Sequence, residues 1–307
     1  MLFVAACAAT SPPASPAGLV VRAPKLPLTE TMPAPSSPKD PVKQGVLERI
    51  NSDRAAAGLP PVAWDEAASK VADAFCAAQV AEGTRGHFLT DGIPPYARTA
   101  FAGISGMGSE NSVSWITTAP AFEETALALA LAGHSDMMRE TPPNDGHRRA
   151  ILDPEATHVG VGWSMKGGSF RMTEEFLSRK LATLSLASEG GTLLVRGRPL
   201  SGYSLQFVTI AWEAAPEKLT KDEARSRTFY IYPDPRLGLV AEGRVSMRVV
   251  GVDTNDLIHV GGGGEFSFRW APPQAGLWTM VFYVSEARER PRPGGLAVFL
   301  MADSRER

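Results

Sequence analysis

Cysteine is almost absent from this chain, which has only Cys7 and Cys76 in 307 residues. Cys7 lies in a proline-rich segment and Cys76 in an alanine-rich helical stretch, so a disulfide between them is not expected. The expected state of Cys76 is a small, buried, unpaired thiol. The folded parts of the protein must therefore be stable through their cores alone.

Several other features are missing, and each absence excludes a class of function. The 31 Lys and Arg residues nearly balance the 33 Asp and Glu residues, which excludes the basic surface of a nucleic-acid-binding protein. The sequence has no apolar run of about 18 residues, so no transmembrane helix is expected. It also lacks a His-Glu-x-x-His motif, a Gly-x-Ser-x-Gly motif, a Walker loop and a dinucleotide fingerprint.

The first 41 residues predict an exported, tethered protein. Val4-Ala5-Ala6-Cys7 resembles a bacterial lipobox, in which the cysteine is lipidated and becomes the mature N-terminus. The apolar stretch before Cys7 is shorter than a signal peptide and has no basic start, so a short tail with an incidental cysteine stays open as an alternative. Residues 10–41 are rich in Pro, Ser and Ala and predict an extended tether. We therefore expect an extracytoplasmic location, with Cys7 as the candidate lipid anchor.

Residues 42–181 predict a layered α+β domain. Apolar residues at helical spacing predict helices near 46–54, after Asp65 and over 122–139. The spacing of the apolar residues then changes from helical to strand-like. Residues 157–165 and 169–177 predict a β-hairpin. Helices followed by a hairpin favour helices packed on a sheet.

The side chains best suited to chemistry lie in glycine-rich stretches of this domain. His87 follows Gly86, His147 follows Gly146, and Glu110 precedes Asn111. Neutral imidazoles suit zinc and similar divalent ions, and a carboxylate can complete or orient such a site. His87, Glu110 and His147 are therefore the predicted metal or ligand site, with Asn111 in support. A purely structural polar cluster is the alternative.

Residues of about 43–181 resemble the CAP superfamily, which includes cysteine-rich secretory proteins, insect venom antigens and plant pathogenesis-related proteins. No single motif is specific, but the matching pieces occur in the order of the family. These pieces are Asn51–Arg54 with Gly58-Leu59, Trp64-Asp65, His87 with Asp91-Gly92 and Arg98, Glu110-Asn111, and Gly146–Arg148 with Ile151-Leu152 and Val159–Gly162.

The resemblance implies an α-β-α sandwich with a central cavity lined by two histidines and two acidic residues. His87, Glu110 and His147 match three of these positions. The nearest counterpart of the fourth is Glu140, although Met137 stands where the family usually has tryptophan. His134, on the same predicted helix, is another candidate for the cavity wall.

Residues 182–307 predict a second, all-β domain. Short alternating segments are predicted as strands at Glu265–Trp270 and Leu277–Val284, and Gly- and Pro-rich turns separate the strands. Further strands are predicted at 192–195, 203–212, 228–232, 245–250 and 296–301. About seven short strands favour a β-sandwich of Ig-like architecture.

Three hypotheses of different classes follow. In the first, an exported CAP protein binds a divalent metal ion, zinc by ligand type, or a small apolar ligand in its His/Glu cavity. In the second, the protein is a metal-dependent hydrolase, such as a peptidase, whose active site is this cavity. His87 and His147 would hold the metal ion, and Glu110 would act as the base. In the third, the cluster is structural, and the protein acts as an adhesive module that contacts a cell-surface component.

Overall fold

The computed structural model describes residues 18–242, 253–286 and 289–304. Cys7 and the predicted strand at 245–250 lie outside these ranges. The helices and strands, in chain order, are β1 (Leu19–Ala23), β2 (Leu28–Thr31), α1 (Pro41–Ala56), β3 (Ala63–Trp64), α2 (Glu66–Glu82), α3 (Pro95–Phe101), β4 (Met107–Ile116), α4 (Glu123–Met138), α5 (Gly146–Ile151), β5 (His158–Lys166), β6 (Ser169–Ser178), β7 (Leu181–Glu189), β8 (Thr192–Pro199), β9 (Ser204–Glu213), α6 (Lys221–Ser226), β10 (Pro235–Ala241), β11 (Asp253–Val260), β12 (Phe266–Trp270), β13 (Gly276–Ser285) and β14 (Arg292–Asp303).

The ends of the first two helices follow from local sequence. The Asp40 carboxylate accepts the backbone N–H of Val42 at 2.8 Å, which caps α1. Asp65 caps α2 by accepting the N–H of Ala68 at 3.0 Å. Gly83 ends α2 in the left-handed conformation, with a φ of 67°. The predicted start of α2 after Asp65 is therefore confirmed.

The first domain is a four-stranded sheet between two helical layers. The strand order is β3-β5-β6-β4, so β4 is an edge strand. Apolar side chains of α1 and α4 share a core with one face of the sheet, while α2 packs on the other face against β5 and β6. This is the predicted α-β-α sandwich.

Two glycines of β5 let α2 approach the sheet closely. A Cβ at Gly160 would lie 2.3 Å from the backbone nitrogen of Ser69, and one at Gly162 would lie 2.2 Å from the carbonyl carbon of Ala72. The Gly-x-Gly pair is therefore required by helix–sheet contact. Cys76 uses the same interface, where its buried, unpaired thiol lies 3.3 Å from the Thr173 hydroxyl.

The second domain is a ten-stranded sheet that folds over on itself. Its strand order is β1-β14-β13-β9-β10-β11-β12-β8-β7-β2. β12 and β13 are not neighbours in this order, yet the rings of Phe266 and Phe282 lie 5.6 Å apart, as do those of Trp270 and Trp278 at 4.9 Å. The two halves therefore face each other across one core, which confirms a β-sandwich following the α+β domain.

The structure departs from the expected tether in residues 19–31. β1 pairs with β14 and β2 pairs with β7, so the segment covers both ends of the large sheet. Val21 and Leu28 pack against its core. β1 and β2 thus become the edge strands of the sheet, and edge strands of only five and four residues offer little backbone for association with other chains. The high proline content of this segment favoured an extended tether over two such short strands.

Residues 228–232 were predicted as a strand but do not pair with any described strand. The segment leads from α6 to β10 and lies against the first domain, with Tyr230 and Tyr232 turned inward. Phe229 and Ile231 alternate with them and are 74% and 75% exposed. The alternation of buried and exposed side chains thus belongs to an extended segment without strand partners, and its buried side chains contact the first domain.

Candidate functional site

His87 and Glu110 form a buried pair. His87 lies in the loop after α2, and Glu110 lies on β4. The Nδ1 atom of His87 is 2.8 Å from Oε1 of Glu110, and both side chains are more than nine-tenths buried. The carboxylate fixes the orientation of the ring and leaves Nε2 as the imidazole nitrogen available to a ligand.

Arg98 neutralises this pair. Its guanidinium, carried on α3, donates to Oε2 of Glu110 and to the backbone carbonyl of His87, the latter at 2.8 Å. It also lies over the ring of Phe75, 3.5 Å from the centroid. Burial by itself raises the pKa of Glu110, but Arg98 and then His87 outweigh it and hold that pKa below its ordinary value. Glu110 is therefore a fixed anion.

His147 and Glu140 form a second pair of the same kind. His147 lies at the start of α5, with its Nδ1 2.5 Å from Oε1 of Glu140. The other carboxylate oxygen of Glu140 accepts the backbone N–H of His147 at 3.0 Å. The His147 side chain is 35% exposed, so this half of the site is open to solvent.

The two histidines meet beside the edge strand β4. Their ring centroids lie 6.3 Å apart, with an interplanar angle of 30°. Each ring has its Nδ1 held by a carboxylate. Within the described ranges, no group of three His, Cys, Asp or Glu side chains converges as a preformed metal site. The arrangement is thus two oriented imidazoles, each with its own carboxylate.

Residues 47–176 match the family model described as the cysteine-rich secretory protein family, CAP. This chain contains a CAP domain. Among curated proteins, no match was found for the chain. In the part of the chain that the structure describes, no helix is long and apolar enough to cross a membrane.

Three solved structures are similar to the chain. An outer surface protein from Borrelia burgdorferi is 16% identical with a TM-score of 0.37, over 48% of this chain and 100% of that one. An extracellular protein containing a SCP domain from Bacillus anthracis is 19% identical with a TM-score of 0.35, over 47% of this chain and 45% of that one. Na-ASP-1 is 14% identical with a TM-score of 0.33, over 46% of this chain and 37% of that one. The chain therefore spans less than half the length of the last two.

Glu140, the nearest counterpart of the fourth acidic position that the resemblance implies, pairs with His147. The resemblance pointed to it although tryptophan is replaced by Met137. Met137 is buried in the core under α4, and Glu140 follows the helix end and reaches His147. Glu140 therefore reaches His147 from just beyond the end of α4.

His134 belongs to a different cluster. Its Nδ1 lies 2.7 Å from Glu174 and its Nε2 lies 3.0 Å from Asp53. Burial lowers the pKa of His134, but the two carboxylates outweigh it and raise that pKa above its ordinary value. Since both of its nitrogens are engaged, His134 is a buried structural cation and does not line the site with His87.

The Glu110-Asn111 pair serves both clusters because adjacent residues of a strand face opposite sides of the sheet. Glu110 lies opposite Glu175 of β6 on the α2 side. Asn111 faces the α4 side, where its amide donates to Glu174 at 3.1 Å and to the carbonyl of His147 at 3.2 Å. Asn111 thus links the His134 cluster to the backbone that carries His147.

Tyr230, from the second domain, closes one side of the site. Its ring lies edge-on to His87 with centroids 5.0 Å apart, and its hydroxyl accepts the backbone N–H of Glu110 at 2.6 Å. Tyr232 bonds both backbone groups of Gly108 in the same edge strand. The CAP-domain site is therefore completed by a segment about 140 residues beyond His87 in the chain, and no sequence motif indicated it.

Glu175 gives the first testable prediction. Burial and the charge of Glu110 raise its pKa well above the ordinary value, and Arg98 only partly opposes this. A raised folded-state pKa contributes stability below the unfolded pKa, and that contribution is lost as pH rises through the folded value. Glu175→Gln removes this loss, so the variant should be more stable than wild type at pH 7 by on the order of 1 kcal/mol and similar to it near pH 4. Urea unfolding at the two pH values tests this. Equal differences at both would contradict it.

Proposed function

We propose that the CAP domain binds a divalent metal ion, zinc by ligand chemistry, between His87 and His147. The observation that carries the proposal is the presence of two histidine–carboxylate pairs side by side at the edge of β4. The two imidazoles face each other, and a separate buried or half-buried carboxylate holds the Nδ1 atom of each. Carboxylate–histidine pairs of this kind orient zinc-binding imidazoles and increase their basicity.

The residues present fit such an ion. Zinc bonds imidazole nitrogen at about 2.0–2.1 Å, so two rings on one tetrahedral ion have centroids about 5 Å apart. The observed centroid separation is 6.3 Å, and closure by about 1 Å is within reach because His147 is partly exposed. Glu110 is bound to Arg98 and His87, which leaves it as an orienting group, and water completes the coordination. Bound zinc would supply a Lewis acid with open positions.

Zinc titration by calorimetry tests the proposal with graded variants. The wild type should bind one equivalent. His147→Ala removes a ligand and should weaken binding by about 100-fold or more, while Glu140→Gln removes only the orienting carboxylate and should weaken it by about 10- to 100-fold.

His259→Ala is the matched control, because His259 also pairs with a glutamate, Glu242, but is 71% exposed and lies on β11. It should bind zinc as the wild type does. Absence of zinc binding by the wild type would refute the proposal, and so would equal loss in the His259 and His147 variants.

A small apolar ligand is the second candidate, favoured by an interdomain pocket behind Tyr230. The pocket has a volume of about 560 Å³ and is lined by Phe88, Pro94, Tyr96 and Phe229, among others. It lies beside the metal site and is separated from it by the Tyr230 ring. Uptake of an apolar fluorescent probe that is lost in Phe229→Asp and retained in His147→Ala would support this candidate.

The hydrolase hypothesis stays a prediction, and the contacts give it little support. A general base works best with a pKa near the working pH. The pKa of Glu110 is lowered, and both of its oxygens are engaged. Those contacts suit an orienting group better than a base.

Export and tethering are also part of the proposal. They rest on Val4-Ala5-Ala6-Cys7 and on the Pro- and Ser-rich composition of residues 10–17, which precede β1. Mass spectrometry of the N-terminus after expression in a bacterial host with lipoprotein processing tests Cys7 directly. A diacylglyceryl group on Cys7 is expected, and an unmodified Met1 or Cys7 would contradict it.

A further inference from the structure

Three arginines from separate elements meet in a pocket at the C-terminal end of α2. Arg85 follows the helix, Arg171 lies on β6, and Arg225 lies on α6. The pocket has a volume of about 320 Å³, and Trp115 and Ile116 of β4 complete its wall. Its wall residues are distinct from those that form the histidine site.

The described residues that line this pocket include no carboxylate. Arg171 is buried, and its guanidinium donates only to the carbonyls of Thr84 and Phe170, at 2.8–3.0 Å. Arg225 donates to the carbonyl of Gly83 at 2.9 Å, and its one acidic contact among the described residues is Asp222 at 3.5 Å, which is 92% exposed and lies outside the pocket wall. Arg85 is exposed and makes no hydrogen bond or ion pair with another residue of ranges 18–242, 253–286 and 289–304.

The wall is therefore rich in donors and carries positive charge that no carboxylate of the wall itself offsets. Burial lowers the pKa of Arg171, and the nearby charges of Arg225 and Arg85 lower it further. Guanidinium groups complement a group with several negative oxygens, which can accept several N–H hydrogen bonds at once. A dianionic group of this kind would offset most of the positive charge of the pocket.

We propose that this pocket binds an oxyanion, namely a phosphate or sulfate group. The group is either free or ester-linked to an apolar body, which would lie on the 79% exposed side chain of Ile116. Because Arg225 comes from α6 and the other two arginines from the CAP domain, the bound anion links the two parts of the chain.

Titration calorimetry with the full chain tests this, using inorganic phosphate, inorganic sulfate and phenyl phosphate at constant ionic strength. Arg85→Glu is the test variant, since Arg85 is exposed and makes no hydrogen bond or ion pair with the described residues. Arg196→Glu is the control, since it makes the same charge change at an exposed position on β8. Thermal unfolding of each variant checks that the fold is kept.

The wild type and Arg196→Glu should bind oxyanions, and Arg85→Glu should bind about tenfold more weakly or worse. Tighter binding of phenyl phosphate than of inorganic phosphate supports the ester-linked form, and equal binding supports the free ion. The proposal is overturned if the wild type binds none of the three, or if Arg85→Glu binds as well as the wild type.

Discussion

Arg98→Ala should lower the free energy of unfolding by about 3–5 kcal/mol at pH 7, because it leaves a buried carboxylate without its cation. Glu110 is fully buried, and its charge is stabilised mainly by Arg98. The same substitution removes the bond to the carbonyl of His87 and the contact with the Phe75 ring. Urea unfolding followed by far-ultraviolet circular dichroism measures this, since α1–α5 all belong to the CAP domain.

A double variant separates the charge effect from lost packing. Arg98→Ala combined with Glu110→Gln should recover part of the loss, because the neutral amide needs no cation. Arg148→Ala is the control for an exposed arginine and should change stability by no more than about 0.5 kcal/mol. If Arg98→Ala behaved like Arg148→Ala, the assignment of Arg98 as the neutralising group of the site would be wrong.

Gly162→Ala should destabilise the CAP domain by about 3 kcal/mol or more, since overpacking here sets backbone against backbone. The new Cβ would lie 2.2 Å from both the carbonyl carbon of Ala72 and the nitrogen of Asp73 in α2. Neither atom can rotate away, so the helix itself must move. Elsewhere in a strand, alanine would be favoured over glycine by roughly 0.5–1 kcal/mol. A lower free energy of unfolding in Gly162→Ala would therefore show that the close approach of α2 requires glycine here, whereas a higher one would show that strand propensity decides.

Gly262→Ala is the matched control, because a Cβ there meets nothing within 4 Å. Its effect on the free energy of unfolding should be small. A neutral or stabilising Gly162→Ala would show that α2 does not approach β5 as closely as the structure has it.

The sequence predicted the CAP domain well because its signals are local or follow in a fixed order. Asp65 and Gly83 bound α2 through capping chemistry that can be read directly. Glu110-Asn111 and the two glycine–histidine pairs marked the site by composition alone. The pairing of His147 with Glu140 was within reach, since the two residues are only seven apart.

The missed features depend on contacts between distant segments. Arg98 was noted only as part of a motif, and its ion pair with Glu110 follows from how α3 packs beside β4. Tyr230 comes from the second domain and was assigned to a strand, because its alternating neighbours have the period of a half-buried sheet. β1 and β2 are stabilised by pairing with β14 and β7, more than 150 residues away, and nothing local indicates this.

The most direct test of the zinc proposal is an anomalous difference map from crystals grown with zinc, with data collected on both sides of the zinc absorption edge. One strong peak is predicted between His87 and His147, within about 2.1 Å of the Nε2 atom of each. Glu110 and Glu140 should stay on the Nδ1 atoms. A map with no peak between these rings, or with zinc bound only elsewhere, would contradict the proposal.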